Sequence, residues 1–198
     1  MIKDKNVAWK VKRQFISVYE MLGRTANMIA GLGTGAPTFQ EVSNTNLAGL
    51  AINTVGDEFF HLWKIPWDLD RSYPTQMRLI FSHESTDADD PAWNIKLKGL
   101  ANQVAMSSAA STPDETLTFP ALAVAEVAYA LEKTSWQATA IKDAIALADL
   151  FVQMAIKCTD LGSASADEIT LLGVEIAYVI KATDQKRELT DVALGALY

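Results

Sequence analysis

The chain has 198 residues, of which 49% are hydrophobic and 21% charged, and its formal net charge is −7. This length and composition fit one globular domain, or one domain with an arm, that folds without disulfides. The negative net charge argues against generic nucleic-acid binding, which calls for a basic surface. The single cysteine, Cys158, excludes a disulfide framework and a cysteine zinc cluster within one chain.

The first 25 residues are basic, although the chain as a whole is acidic. They carry six cations and two acids, a balance of +4, which leaves −11 for the remainder. The spacing of Phe15, Val18, Tyr19 and Leu22 predicts a short amphipathic helix here. A basic segment of this kind is either a solvated terminus or an arm that docks on an acidic neighbouring surface, and the sequence leaves both open.

No segment is expected to enter a membrane. No apolar run reaches the roughly 18 residues of a membrane helix. The cations Lys10, Lys12 and Arg13 interrupt any apolar signal core near the N-terminus. We therefore expect a soluble protein without an export signal.

Residues 30–57 have no sustained period and are rich in Gly, Thr, Asn and Ser. This composition is typical of a long loop or an extended arm. The segment GLGTG at 31–35 lacks the spacing and the strand and helix of a dinucleotide-binding loop. We predict an N-terminal arm over residues 1–57, partly helical or extended, followed by one domain over residues 58–198.

From residue 59 onward, apolar residues alternate with mixed ones, which is the period of β-strands. The alternating segments are 59–65, 77–82, 93–98, 150–159 and 171–180. One apolar face and one mixed face per strand is typical of antiparallel sheets packed against each other. The connections between them are polar and contain Pro, Gly, Asp and Ser, which argues against a βαβ layout. The sequence thus predicts an all-β antiparallel sandwich.

The alanine-rich region 120–149 fits two interpretations. Alanine favours a helix, and Ile141, Ala144 and Ile145 share a helical face, whereas Val127 and Tyr129 alternate as in a strand. We predict a strand over residues 126–136 and leave residues 137–148 open.

No combination of residues predicts a catalytic, cofactor or metal site. A metal site would need both histidines, His61 and His83, or one of them together with carboxylates, and His61 lies on an apolar strand face. The aspartates in STDADDP lack the glycine and glutamate of an EF-hand loop, so a solvated connection is expected. No G-x-S-x-G pattern of a nucleophile elbow occurs. We therefore expect a protein that is not an enzyme.

Large side chains in the strands are expected to fill the core. Cys158 lies on the apolar face of its segment and is expected to be a small buried hydrophobe. The four tryptophans of the sandwich are expected to fill the core; if they cluster on the surface instead, they would stack against sugars or bases. These tryptophans are Trp63, Trp67, Trp93 and Trp136.

The order of these segments resembles the jelly-roll β-sandwich structural proteins of tailed bacteriophages, in particular capsid decoration (cement) proteins and minor virion proteins. The likeness rests on Trp63, Pro66 and Asp68 in a W-x-x-P-x-D stretch, on the strand at Trp93, and on residues 167–178. It covers roughly residues 59–181. The alanine-rich region 120–149 departs from the pattern and puts the number of strands in doubt.

This resemblance implies a jelly-roll fold and a trimer on the capsid surface that stabilises the shell by binding the major capsid protein. It also implies assembly in the host cytoplasm, with no direct contact to nucleic acid or membrane. The alternatives are a jelly-roll shell protein, a surface receptor or carbohydrate-binding module and, last, a cupin-like metalloenzyme. A cluster of exposed tryptophans would favour the carbohydrate-binding module, and bound metal would favour the metalloenzyme.

Assembly contacts are expected from the basic arm, from apolar residues on the second strand faces, and from the apolar C-terminal residues 189–198. Besides Phe151, the second faces would expose Ile80, Leu171 and Val179. The candidate interface residues are Lys10, Lys12, Arg13, Phe15, Tyr19, Phe39, Leu47, Leu50, Phe151, Leu197 and Tyr198.

Overall fold

The computed structural model describes a nearly all-β chain. The described residues are 10–18, 38–42, 47–52, 55–56, 58–84, 91–101, 112–123, 127–140, 149–162, 164 and 168–180. The strands are β1 (Lys10–Ser17), β2 (Thr38–Val42), β3 (Leu47–Ala51), β4 (Glu58–Lys64), β5 (Thr75–His83), β6 (Ala92–Ala101), β7 (Glu115–Phe119), β8 (Leu131–Lys133), β9 (Gln137–Thr139), β10 (Asp149–Asp160) and β11 (Ile169–Ile180). No helix in this part of the chain is long and apolar enough to cross a membrane.

The strands form two antiparallel sheets. The seven-stranded sheet has the order β2-β3-β11-β5-β8, with β1 paired to β11 and β9 paired to β5. The four-stranded sheet has the order β4-β10-β6-β7. The alternating segments of the sequence correspond to strands β4, β5, β6, β10 and β11. The predicted all-β sandwich is therefore confirmed.

The core lies between the two sheets, where apolar residues of opposite strands share a face. In the four-stranded sheet, Met154 pairs with His61 on one side and Leu97 on the other. Across the core, the Phe81 ring of β5 lies 5.8 Å from the Trp93 ring of β6. One cluster of buried residues includes side chains from both sheets. Burial of this apolar cluster is the main stabilising contribution to the sandwich.

The segment 1–57, predicted as an arm, contributes strands to the sandwich. Strand β1 pairs with β11 over eight residues, and β3 pairs with the start of β11. These strands therefore belong to the seven-stranded sheet. The helix predicted from Phe15 does not begin there, since Phe15 lies in β1, and its further residues Tyr19 and Leu22 lie outside the described residues. Its backbone pairs with Glu175 because the adjacent strand β11 offers an open edge.

The strand expected over residues 126–136 is shorter in the structure. A turn precedes it, in which the Ala130 N–H donates to the Val127 carbonyl and Tyr129 has a φ of 63°. This left-handed conformation interrupts any strand, so β8 begins only at Leu131. Thr134 separates β8 from β9 and accepts a hydrogen bond from the Leu79 N–H through its side chain.

A bulge in β11 changes which residues face the core. Leu171 pairs with Phe81, and Gly173 pairs with Ile80, so Leu172 is the additional residue. After the bulge, Val174 and the alternate residues that follow it point inward as expected. Leu171, predicted for the second face, is instead fully buried in the core.

Candidate assembly surface

The outer face of the seven-stranded sheet carries exposed apolar side chains near its β1 edge. The register of β1 with β11 places Val11, Arg13 and Phe15 on this face, opposite Val179, Ala177 and Glu175. Val11 is 60% exposed and Phe15 is 48% exposed. Exposed apolar side chains that are grouped on one face are typical of protein interaction sites.

Two arginines stack against one tryptophan beside these residues. The guanidinium carbon of Arg78 lies 4.4 Å from the centre of the Trp136 ring, and that of Arg13 lies 5.8 Å from it. Glu175 fixes the arginines, since its Oε2 lies 2.6 Å from Nη2 of Arg78 and its Oε1 lies 4.0 Å from Nη1 of Arg13. The two distances from the arginines to the Trp136 ring are within the range of cation–π contacts. The Arg13–Trp136 patch consists of Val11, Arg13, Phe15, Arg78, Trp136 and Glu175.

The Phe15 ring is placed by a glycine. A Cβ atom at Gly173 would lie 2.6 Å from Phe15 Cζ and 2.3 Å from the Ile16 carbonyl oxygen. Only glycine therefore lets β1 and the Phe15 ring approach β11 this closely. The position of Phe15 on the patch depends on that contact.

The inward face of β1 is polar. Lys12 donates a hydrogen bond to the buried carboxylate of Asp68, and the indole N–H of Trp63 donates to Gln14 Oε1 over 3.2 Å. Asp68 lies in the connection between β4 and β5, so the ion pair links this corner to the sheet edge. An inward-pointing charge on an edge strand discourages pairing with a further strand. The edge of β1 is therefore protected, while its outer face remains available for binding.

The stretch from residue 61 to residue 74 forms this corner. Pro66 follows the end of β4, and its carbonyl accepts the Leu69 N–H in a turn. The Asp70 carboxylate accepts the Ser72 N–H, as expected for an aspartate in a turn. Asp68, in the same turn, has Lys12 as its partner instead of a backbone N–H.

Tyr178 lies next to the Lys12–Asp68 ion pair, and its ionisation makes the stability of the protein depend on pH. Burial raises the pKa of Tyr178, the Asp68 carboxylate raises it further, and Lys12 opposes them. The hydrogen bond to Asp68 also raises the pKa of Lys12. A group whose pKa is raised by folding contributes stability below its unfolded pKa, and this stability is lost as the pH rises through the folded value.

We therefore expect Tyr178→Phe to flatten the loss of stability above about pH 10, the pKa of an unfolded tyrosine. Denaturant unfolding at a series of alkaline pH values measures this. Tyr129→Phe, at an exposed position, is the matched control for loss of a phenol. The same alkaline slope in wild type and Tyr178→Phe would contradict the assignment.

The structure brings Arg13 and Phe15 together in the patch. Lys12 lies on the opposite face of β1, and Leu47 is exposed on β3. The prediction of Leu50 as an interface residue is wrong. Leu50 is buried in the core opposite Leu171 and offers no surface to a partner.

The other candidate residues are only partly described. The backbone of Lys10 starts β1, Phe39 pairs with Leu50 in β2, and Phe151 is half-buried on the outer face of the four-stranded sheet. Tyr19, Leu197 and Tyr198 lie outside the described residues.

The tryptophans separate into core and surface residues. Trp63 and Trp93 are buried as expected, but Trp67 is 67% exposed and Trp136 lies on the outer face beneath Arg78. The expectation that all four fill the core is thus wrong for these two. The four tryptophans do not form an exposed cluster of the kind that would favour a carbohydrate-binding module.

The histidines are buried in different sheets, His61 on β4 and His83 on β5. Among the described residues, no group of three or more His, Cys, Asp and Glu side chains could hold a metal ion. Cys158 is buried, as expected for a small hydrophobe, and its thiol donates to the Asp160 carbonyl over 3.1 Å. The segment GLGTG and the aspartates of STDADDP lie outside the described residues.

Comparison with known proteins gives no family. No family model and no curated protein matches the sequence. Solved structures with some likeness include dimeric latent PorU from Porphyromonas gingivalis, with a TM-score of 0.41 and 8% identity over 90% of this chain and 13% of that one. The CBM36-1 domain of a multidomain xylanase from the hindgut metagenome of Trinervitermes trinervoides has a TM-score of 0.39 and 7% identity over 84% and 96%. The coat protein dimer of Tobacco streak virus has a TM-score of 0.27 and 9% identity over 93% and 97%.

This chain thus spans 13% of the PorU chain but nearly all of the other two. Identities of 7–9% and TM-scores of 0.27–0.41 carry no argument about activity or partners.

Proposed function

We propose that this chain is a non-enzymatic structural protein of a virion, and specifically a capsid decoration protein that binds the major capsid protein of a phage shell. In this proposal it is a trimer on the capsid surface, assembled in the host cytoplasm. The observation that supports it is the Arg13–Trp136 patch, an exposed apolar and cationic surface on a sandwich face.

The composition of the patch suits a protein partner. Tryptophan and arginine are the residues most enriched in interface hot spots, because they combine a large contact area with directed hydrogen bonds. Val11 and Phe15 add exposed apolar area on both sides of Arg13. Stacking on Trp136 holds the Arg13 guanidinium before a partner arrives, which lowers the entropic cost of binding.

The electrostatics of the patch favour an acidic contact on the shell. Two arginines face one carboxylate, Glu175, so the patch keeps a positive charge. Arg13 lies 4.0 Å from that carboxylate, at the limit of an ion pair, and its side chain is largely exposed. An arginine fork binds a carboxylate with two parallel hydrogen bonds, which would orient the protein on the shell.

We expect Arg13→Glu to weaken binding to undecorated shells by about 2 kcal/mol or more, about thirtyfold in Kd. The substitution removes the stacked cation and places a second carboxylate beside Glu175. Co-sedimentation of the purified protein with shells prepared without it measures the affinity.

Lys133→Glu is the matched control, because it makes the same charge change at an exposed residue of β8, which β5 separates from β11 and β1. It is expected to bind like the wild type. If Arg13→Glu binds as tightly as Lys133→Glu while both remain folded, the patch is not the shell-binding surface. If the wild type itself fails to bind undecorated shells, the decoration function is wrong.

A further inference from the structure

The outer face of the four-stranded sheet carries a group of lysines. The alternate residues Trp63, Met154 and Ile95 point into the core, so their neighbours in each strand point outward. The lysine face consists of Lys64 on β4, Lys96 and Lys98 on β6, and Lys157 on β10. Along the strands it extends from the pair Lys64–Phe151 to the pair Glu58–Lys157, about 20 Å at the usual rise per residue.

The lysine face keeps an excess of positive charge. Glu58 lies 3.9 Å from Lys96, and Asp114 lies 2.7 Å from Lys98. Within the described residues, neither Lys64 nor Lys157 forms an ion pair. Lys64 and Lys157 therefore add uncompensated positive charge to this face among the described residues, on a chain whose net charge is −7.

Apolar side chains lie between the lysines. Phe60 and Ala155 form a small buried cluster on this outer face, separate from the main core. Leu62 and Phe151 are half-buried in the same rows. A surface that combines charge with such apolar area fits another protein better than a solvated polyanion.

One end of the same sandwich is acidic. Strand β5 ends beside Glu84, β10 ends at Asp160, and β11 starts after Glu168. The Glu84 N–H donates to the Glu168 carbonyl over 2.9 Å, which holds two of these residues together. We define Glu84, Asp160 and Glu168 as the acidic end.

We propose that the lysine face of one copy of this chain binds the acidic end of a second copy. The two surfaces have opposite charge and are different parts of the molecule, so the contact is heterologous. Heterologous contacts between copies close into a ring or continue as a chain. A nucleic-acid backbone suits the lysine face less well, because two of its lysines are already paired with carboxylates and the chain is acidic.

This contact leaves the Arg13–Trp136 patch uncovered. The lysine face lies on the other sheet, and Glu175 of the patch lies roughly 20 Å along β11 from Glu168 of the acidic end. The proposal is therefore independent of shell binding. A ring of copies held by the lysine faces would present several patches to a shell at once and raise its affinity through multivalency.

Reciprocal charge reversal tests the contact. The face variant is Lys64→Glu/Lys157→Glu, the end variant is Glu84→Lys/Glu168→Lys, and the third variant combines all four substitutions. Sedimentation velocity at low and high salt measures association of the full chain. We expect the wild type to associate, more strongly at low salt, and each double variant to associate about a hundredfold more weakly.

The combined variant is expected to recover the wild-type association, because its charges are again complementary, and an equimolar mixture of the two double variants should also associate. Lys133→Glu, outside both surfaces, is expected to behave like the wild type. A monomeric wild type at low salt would overturn the proposal. So would double variants that associate normally, or a folded combined variant that associates no better than the doubles.

Discussion

Replacing Trp93 by alanine is expected to lower the free energy of unfolding by about 3–5 kcal/mol, the usual cost of truncating a buried aromatic side chain. Trp93 is 0% exposed and lies between the two sheets, with its ring 5.8 Å from that of Phe81. Its neighbours in the four-stranded sheet are Cys158 and Phe119. These side chains are held by two sheets and cannot collapse into the space that the indole leaves. Urea unfolding followed by circular dichroism measures the loss.

Two further tryptophan variants control for the chemistry of the residue. Trp67→Ala removes the same group from an exposed position and is expected to change stability by less than about 0.5 kcal/mol. Trp93→Phe should cost much less than Trp93→Ala, because the indole N–H of Trp93 has no hydrogen-bond partner among the described residues. Equal losses for Trp93→Ala and Trp67→Ala would contradict the assigned core.

The sandwich was predictable because its central strands are buried on one face only. In β6, Trp93, Ile95 and Leu97 are buried, while the alternate residues Asn94 and Lys96 lie on the outer surface. That arrangement imposes a period of two on the sequence. Where burial alternates in this way, the sequence identifies both the strand and its inward face.

Strand β1 was missed because its burial does not alternate. Its residues 11–15 are exposed on both faces, and its inward positions hold Lys12 and Gln14. Its apolar residues Val11 and Phe15 lie outside. The partner that makes it a strand is β11, more than 150 residues away in the chain. No local pattern contains that information, so the helical spacing that starts at Phe15 did not predict that Phe15 itself lies in a strand.

The candidate surface was predictable only in part for a related reason. Arg13 and Phe15 were found because the basic segment has an unusual charge and apolar content. Trp136, Arg78 and Glu175 were missed, since they come from three distant segments that meet only through the register of β5, β9 and β11. The Arg13–Trp136 stacking is a property of the sheet order, not of any short motif.

Gly173→Val is expected to destabilise the protein by about 3 kcal/mol, at the upper end of the cost of overpacking. The new Cβ would lie 2.3 Å from the Ile16 carbonyl oxygen, which is backbone and cannot turn away. Strand β1 must therefore move relative to β11. Its displacement would also move Phe15 and Arg13, so shell binding should weaken together with stability. Gly173→Ala is expected to reduce stability and shell binding in the same way, but by less.

The contribution of the Phe15 ring can be separated from that of the backbone. In a Phe15→Ala background, Gly173→Ala no longer meets the ring but still meets the Ile16 carbonyl. The cost of Gly173→Ala should therefore be reduced in this background but not abolished. Ala138→Val, on the exposed surface of β9, adds similar bulk to the same sheet and is expected to be near neutral. If Gly173→Val were as stable as Ala138→Val, then β1 would not be packed against β11 at this glycine, and the Arg13–Trp136 patch would lose its support.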